Sequence, residues 1–251
     1  MNITVLGGSG LIGRRSVKRL RERGHDVVAA SLGSGVNTLT GDGLEGALRD
    51  ADVVVDVTNS PSIDGEAALA FFEASAENVA LAEKKAKVGH HVALSVVGTE
   101  RLQESGYFQA KLAQEARIRA SGIPYTILHS TQFFEFVGGI VEAGDEEGEI
   151  YLSPAPIQPI AADDVVTFLA DIAERSPQNG VVEVAGPERL GLDELARRFL
   201  VKKGDARRVV SDASARYFGA RLDEATLVPG PSPRLGATTF DAWFSALEPR
   251  T

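Results

Sequence analysis

The sequence predicts an α/β fold, a doubly wound parallel sheet of the Rossmann type, and three observations carry that prediction. Asn2 to Leu20 (NITVLGGSGLIGRRSVKRL) reads as a short apolar strand, a glycine-rich turn and a helix, the first half of a βαβ unit. Asp52 to Val57 (DVVVDV) is a near-continuous apolar run, the pattern of a strand buried on both faces of a parallel sheet. No Pro/Gly/Ser-rich linker divides the 251 residues, so the chain reads as one unit, 1–251. Residues from about 131 onward are expected to form a small C-terminal substrate-binding part of it.

Each glycine of the opening turn has a physical task. The spacing fits both Gly7-x-x-Gly10-x-x-Gly13 and Gly8-x-Gly10-x-x-Gly13. The first glycine lets the chain leave the strand sharply. The middle one lets the backbone approach a pyrophosphate, and the last lets the helix pack closely on the strand. The helix N-terminus then offers unpaired N–H groups and a positive dipole end to that anion. Gly7, Ser9, Gly10, Leu11, Ile12 and Gly13 are therefore candidate dinucleotide contacts.

Bulk composition narrows the partners. The formal charge is −9, which argues against general binding to nucleic acid or to an anionic membrane. The chain has no cysteine, so disulfides, thiolate zinc sites and a thiol nucleophile are excluded, and a cytoplasmic setting fits. It opens on a core strand rather than a signal peptide, and no apolar run is long enough to span a bilayer.

In chain order, His25 to Ala30 is the second strand, after the helix stop at Gly24. An acid at the end of this strand would bind the adenosine ribose of NAD, but the chain reads Ser31-Leu32-Gly33. Without an acid there, a ribose 2′-phosphate is tolerated, and Arg14 or Arg15 would neutralise it. The cofactor expected is therefore NADP, with NAD the alternative. Val36 to Leu39 is a third-strand candidate, followed by Asp42 and a short helix from Leu44 to Arg49. Thr58 and Asn59 leave the C-terminal end of the buried strand, where ligands of open parallel sheets bind. A helix is expected from Asp64 to Lys87, stopped by Gly89, and then a buried strand from His91 to Ser95. His90 and His91 are adjacent, so their rings diverge on a strand, and no metal site is expected.

The second informative stretch is Ser95 with the helix that begins near Tyr107. Tyr107 and Lys111 stand at i and i+4, on one helical face. Carbonyl reduction needs a proton for the developing alkoxide. A phenol can supply it, an ammonium beside it lowers its pKa and can also bind the nicotinamide ribose, and a serine can hold the carbonyl oxygen. Ser95, Tyr107 and Lys111 are thus the candidate catalytic residues. Further on, Tyr125 to His129 is a strand, and Phe133, Phe134 and Phe136 either wall a pocket or fill the core. A strand from Glu149 to Leu152 follows, then a helix starting at Ala161, and Val181 to Ala185 is expected to be the last strand of the main sheet. Leu192 to Val201 is a helix, Arg207 to Val210 an extended piece, and a terminal helix surrounds Trp243, a packing residue.

These stretches together resemble the short-chain dehydrogenase/reductase superfamily, and more closely its atypical, NmrA-like NAD(P)-binding branch. GGSGLIG at Gly7 to Gly13, HVALSVVGTE at His91 to Glu100, YFQAKLAQE at Tyr107 to Glu115 and SGIPYTILHSTQFFEF at Ser121 to Phe136 carry the resemblance. PIQPIAADDV at Pro156 to Val165 and VVEVAGPE at Val181 to Glu188 extend it to the C-terminal part. It implies that Ser95, Tyr107 and Lys111 occupy the catalytic positions, and an NAD(P)H-dependent oxidoreductase acting on a small carbonyl or quinone-like substrate. Many NmrA-like members lack the tyrosine and some sense the cofactor without turnover; that regulatory role is the alternative expectation, and an epimerase using bound NAD is a third. Either a monomer or a homodimer is expected.

Overall fold

The structure is a computed structural model and describes residues 1–247. The chain runs β1 (Asn2–Leu6), α1 (Leu11–Glu22), β2 (Asp26–Ala30), α2 (Leu44–Leu48), β3 (Val53–Asp56), α3 (Gly65–Ala86), β4 (His90–Val96), α4 (Gly106–Ala120) and β5 (Tyr125–Ser130). It continues through α5 (Val137–Ala143), β6 (Asp145–Glu146), β7 (Glu149–Leu152), β8 (Pro156–Ile157), α6 (Ala162–Ala173), β9 (Gly180–Ala185), β10 (Leu190–Gly191) and α7 (Leu192–Lys203). β11 (Arg208–Ser211), β12 (Arg234–Leu235) and α8 (Phe240–Leu247) complete it.

Seven strands form the main sheet in the order β12-β9-β5-β4-β3-β1-β2, and every pairing in it is parallel. Parallel pairing demands a crossover between strands, and the helices supply it on both faces. Val53 and Val55 of β3 enter the core under α1 and α6, while Val54 enters the core under α2 and α3. Period-two alternation with both sides buried explains why the strand reads as an unbroken apolar run. After β2 the chain crosses to the other side of β1, so the direction of winding reverses there. Ligands of such sheets bind at this point, outside the C-terminal strand ends. The register aligns those ends: Leu6 faces Ala30 and Asp56, Asp56 faces Ala93, and Ser95 faces His129.

A second apolar core gathers the C-terminal part, with Phe134, Phe240 and Trp243 in mutual ring contact. Trp243 is the packing residue the sequence suggests. β11, β7 and β6 form a separate small sheet, so Glu149–Leu152 is a strand outside the main sheet.

Three expectations need correction. Val36 to Leu39 is not a strand: Ser31 O accepts from Val36 N, Asp42 O accepts from Asn37 N, and Gly35, Gly41 and Gly43 bend the segment through left-handed turns. β2 is therefore the sheet edge. β12 adds beyond β9, so Val181 to Ala185 is not the last strand. The long helix keeps its expected bounds to within a residue, Gly65–Ala86, but Lys87, which takes the left-handed conformation (φ 58°), caps it rather than Gly89. His90 and His91 do diverge: His90 Nε2 meets Thr126 Oγ1 at 2.9 Å and His91 Nδ1 meets Glu83 Oε1 at 2.6 Å.

One contact sets the spacing of the helices that frame the site. α3 and α4 touch where Gly65 meets Gly106, and a Cβ on Gly106 would stand 2.5 Å from Gly65 Cα. Side chains there would force the helix N-termini apart. Gly106→Ala is expected to destabilise the protein by about 1–3 kcal/mol, read as a fall of roughly 5 °C in the thermal unfolding midpoint.

Candidate functional site

The opening turn meets the two steric tasks its spacing suggests, the sharp exit at Gly7 and the close helix packing at Gly13. Gly7 has φ +78°, and a Cβ there would meet Val57 O at 3.0 Å. A Cβ on Gly13 would lie 2.0 Å from Gly7 O, so only glycine lets α1 seat against the turn. At Gly10 the nearest atom to such a Cβ is Gly7 O, at 3.4 Å; packing within the protein leaves that position open. No side chain caps α1 at Gly10, and its first-turn N–H groups stay available to an anion. The turn therefore fits a pyrophosphate.

Two further candidate cofactor residues, Ser31 and Asp42, lie in the segment between β2 and α2. Ser31 follows β2 directly, and its N–H donates to Ser34 Oγ at 2.9 Å. Asp42 is exposed in the turn after β2 and accepts from Thr40 Oγ1 at 2.7 Å. Arg15 is already engaged, at 3.1 Å from Asp163 and 3.3 Å from Glu135, which removes it as a phosphate partner. Arg14 is exposed and has no ion-pair partner among the described residues.

Asp56 organises the loop after β3. This buried carboxylate accepts from Thr58 N at 2.9 Å and Thr58 Oγ1 at 2.7 Å. The turn so fixed carries Asn59, whose Oδ1 accepts from the Tyr107 hydroxyl at 2.8 Å. A cleft of about 390 Å³ opens beside them. Val96, Phe108, Phe133, Phe136, Ile140 and Tyr217 make most of its wall, with polar groups at Asn59, Ser105 and Ser130 to Gln132. None of the described residues lining it carries a charge. Phe133 and Phe136 are thus wall residues, whereas Phe134 is core.

Tyr107 lies on this wall; Ser95 and Lys111 do not. Burial pushes the Tyr107 phenol up to about 12, against the opposing pull of its bond to Asn59. The expectation that Lys111 lowers it is not met, because the ammonium points inward. Lys111 Nζ donates to Leu94 O at 3.1 Å and to Gln114 Oε1 at 2.5 Å, and sits 4.7 Å from the centre of the Phe72 ring. Burial brings Lys111 down to about 8, with Asp56 and Glu115 working the other way.

Ser95 is also turned from the cleft. Its hydroxyl donates to Glu115 Oε1 at 2.6 Å, and His129 Nε2 meets the same oxygen at 2.8 Å. Burial acts to raise the Glu115 pKa, but His129, Ser95 and Arg119 outweigh it and hold the carboxyl below its ordinary range. In this arrangement Ser95 ties α4 to the sheet and does not hold a substrate oxygen. Asp56, Asn59 and Glu115 form the framework around Tyr107 and Lys111. A carboxylate among valines is the sequence signal for Asp56; the i+4 spacing of Lys111 and Glu115 is the signal for Glu115.

Turn, strand ends and cleft define an NAD(P)-binding α/β protein. Residues 7–175 match the family described as NAD(P)H-binding, and the chain belongs to that family. Among curated proteins it is similar to the chloroplastic divinyl chlorophyllide a 8-vinyl-reductase of Cucumis sativus, at 30% identity over 89% of this chain and 65% of that one. The Arabidopsis thaliana protein of the same description is 28% identical over 74% of this chain and 54% of its own length. The chain thus spans between half and two thirds of these relatives. Its fold is shared with the UDP-glucose 4-epimerase of Thermus thermophilus in complex with NAD (17% identity, TM-score 0.72, 99% of this chain and 100% of that chain). It is also shared with the dTDP-4-dehydrorhamnose reductase of Bacillus anthracis in complex with NADP (15% identity, TM-score 0.70, 88% and 90%). Among the described residues, no helix is long and apolar enough to cross a membrane.

Lys111 gives the site a measurable pH signature. Its pKa falls from 10.5 unfolded to about 8 folded, so between those values the unfolded chain holds the extra proton and stability rises with pH. Below pH 8 the cost of the buried charge is present in full; above 10.5 it is gone. Relative to Lys111→Met, the parent should gain about 3 kcal/mol of unfolding free energy between pH 8 and 10.5, measured by denaturant titration at each pH.

Proposed function

We propose that the protein is an NAD(P)H-dependent reductase of a small, uncharged carbonyl or quinone-like compound. The observation that carries this reading is a phenol, fixed by Asn59, on the wall of a charge-free and largely apolar cleft at the loop after β3, the loop that Gly7 abuts at Val57 and Thr58. Its support includes the family's cofactor and the reductase relatives.

Gly7 to Gly13 would hold the pyrophosphate, and Ser31 and Asp42 the adenosine end. Arg14 is the free cation for a ribose 2′-phosphate, which favours NADP over NAD. When bound, the reduced nicotinamide supplies the reducing equivalent. The protein's part is to exclude water, orient the substrate and deliver one proton. Apolar walls would desolvate the substrate oxygen, which strengthens every hydrogen bond to it. Tyr107, protonated throughout the neutral range, would donate its hydroxyl proton to that oxygen. Lys111 would serve the cofactor ribose by exchanging Gln114 for its hydroxyls. Ser95 would act at one remove, through Glu115, by holding α4 in place. Substrate would approach past Ile63, Phe136 and Phe218, exposed apolar side chains on the cleft wall.

A second reading has its own observation. The inward turn of Lys111 and Ser95 suits a protein that binds the dinucleotide and reports it to a partner without turnover. Tyr107→Phe separates the two. As a reductase, the variant should lose at least about a hundredfold in kcat with a panel of aldehydes, ketones and quinones, with NADPH affinity unchanged. Wild-type turnover in Tyr107→Phe would sink the assignment, and absence of turnover in the parent with every compound would favour the sensor.

A further inference from the structure

Two side chains at the end of β5 have polar atoms with no partner. Thr131 is 1% exposed and Gln132 is 9% exposed. The Thr131 hydroxyl and both amide atoms of Gln132 are buried without a hydrogen bond. Their backbone is firmly held: Thr131 N donates to Val184 O at 3.1 Å, and Gln132 O accepts from Ile160 N at 2.9 Å. A loose loop is therefore not the cause. Both residues line the cleft that Tyr107 and Asn59 line. Buried polar groups are almost always paired, so an amide left with neither donor nor acceptor satisfied marks a place where a ligand completes the pairing.

The chemistry of the amide selects that ligand. Gln132 offers a donor and an acceptor side by side in one plane. Its complement is a second carboxamide, which returns an acceptor and a donor in the same order. The nicotinamide end of the cofactor carries such a group. The ribose and phosphate portions and a simple carbonyl substrate do not; the adenine edge does offer a donor beside an acceptor, but its place is at β2, across β1 from the end of β5. Position agrees: the phosphates belong over the turn after β1, and the ends of β3, β4 and β5 extend from there along one edge of the sheet.

We propose that Gln132, assisted by the Thr131 hydroxyl, is the receptor for the carboxamide of the bound nicotinamide cofactor. The protein would then read the reactive end of the dinucleotide as well as its phosphates. This rests on cofactor binding and not on turnover, so it stands or falls separately from the role of Tyr107.

Calorimetric titration tests it. Gln132→Met keeps length and volume but removes both polar atoms. Its affinity for NADP⁺ should fall about tenfold, while that for 2′-phospho-ADP-ribose, which lacks the nicotinamide, stays at the parent value. NAD⁺ against ADP-ribose should show the same split. The variant's unfolding midpoint without ligand should equal or exceed the parent's, because an unpaired buried amide has been removed. A second measurement needs no substitution: the parent should bind the 3-acetylpyridine analogue of NADP⁺, which has no amide N–H, about tenfold more weakly than NADP⁺. Equal losses for dinucleotide and fragment in Gln132→Met, no loss for either, or equal affinity of the parent for NADP⁺ and its acetylpyridine analogue would overturn the assignment.

Discussion

The tight approach of Gly13 to the carbonyl of Gly7 governs where a cofactor can sit on this sheet. Only without a side chain at Gly13 can α1 begin directly above the end of β1. That placement aims the helix N-terminus across the carboxyl ends of the strands, where the order of winding reverses. It also leaves Gly10 as an open floor rather than a packed one. The proposed cofactor site would thus result from sterics at one residue, with the helix dipole and unpaired N–H groups supplying the attraction.

A second layer of control comes from buried charge. Asp56 at the end of β3 holds the Thr58 turn, the turn presents Asn59, and Asn59 fixes the Tyr107 hydroxyl. On the neighbouring side, Glu115 gathers Ser95, His129 and Arg119, which locks α4 to β4 and β5. Lys111 lies between the two acids, and both favour its charged form against the cost of burial. Buried ions are costly, so they are kept where geometry matters more than stability. The phenol is aimed by Asn59 and by the Gly65–Gly106 contact that brings α3 and α4 together.

Legibility in the sequence followed the physics that writes each feature. The glycine turn was readable because its sterics constrain residue type at fixed spacing. The strands were readable because burial on both faces leaves an apolar run. Val36 to Leu39 misled because two β-branched residues near a turn look like a strand, while the left-handed glycines around them decide otherwise. Ser95 was readable as a strand end but not in direction. Its side chain shares a face of β4 with Ala93, which packs toward α4, and the cleft receives Val96 instead. Lys111 was placed on the right helical face, yet a sequence does not reveal that Gln114 and the Leu94 carbonyl draw its ammonium inward. Gln132 stood in plain sight within an aromatic stretch; its want of a partner exists only in three dimensions.

The central claim is that one dinucleotide spans from the Gly7–Gly13 turn to the cleft between Tyr107 and Gln132. A crystal structure of the NADP⁺ complex tests it most directly. The account predicts density for the pyrophosphate against Gly10 and for the nicotinamide ring inside the cleft, with its carboxamide at Gln132. A ring lying outside the cleft, or phosphates bound away from the turn, would contradict it.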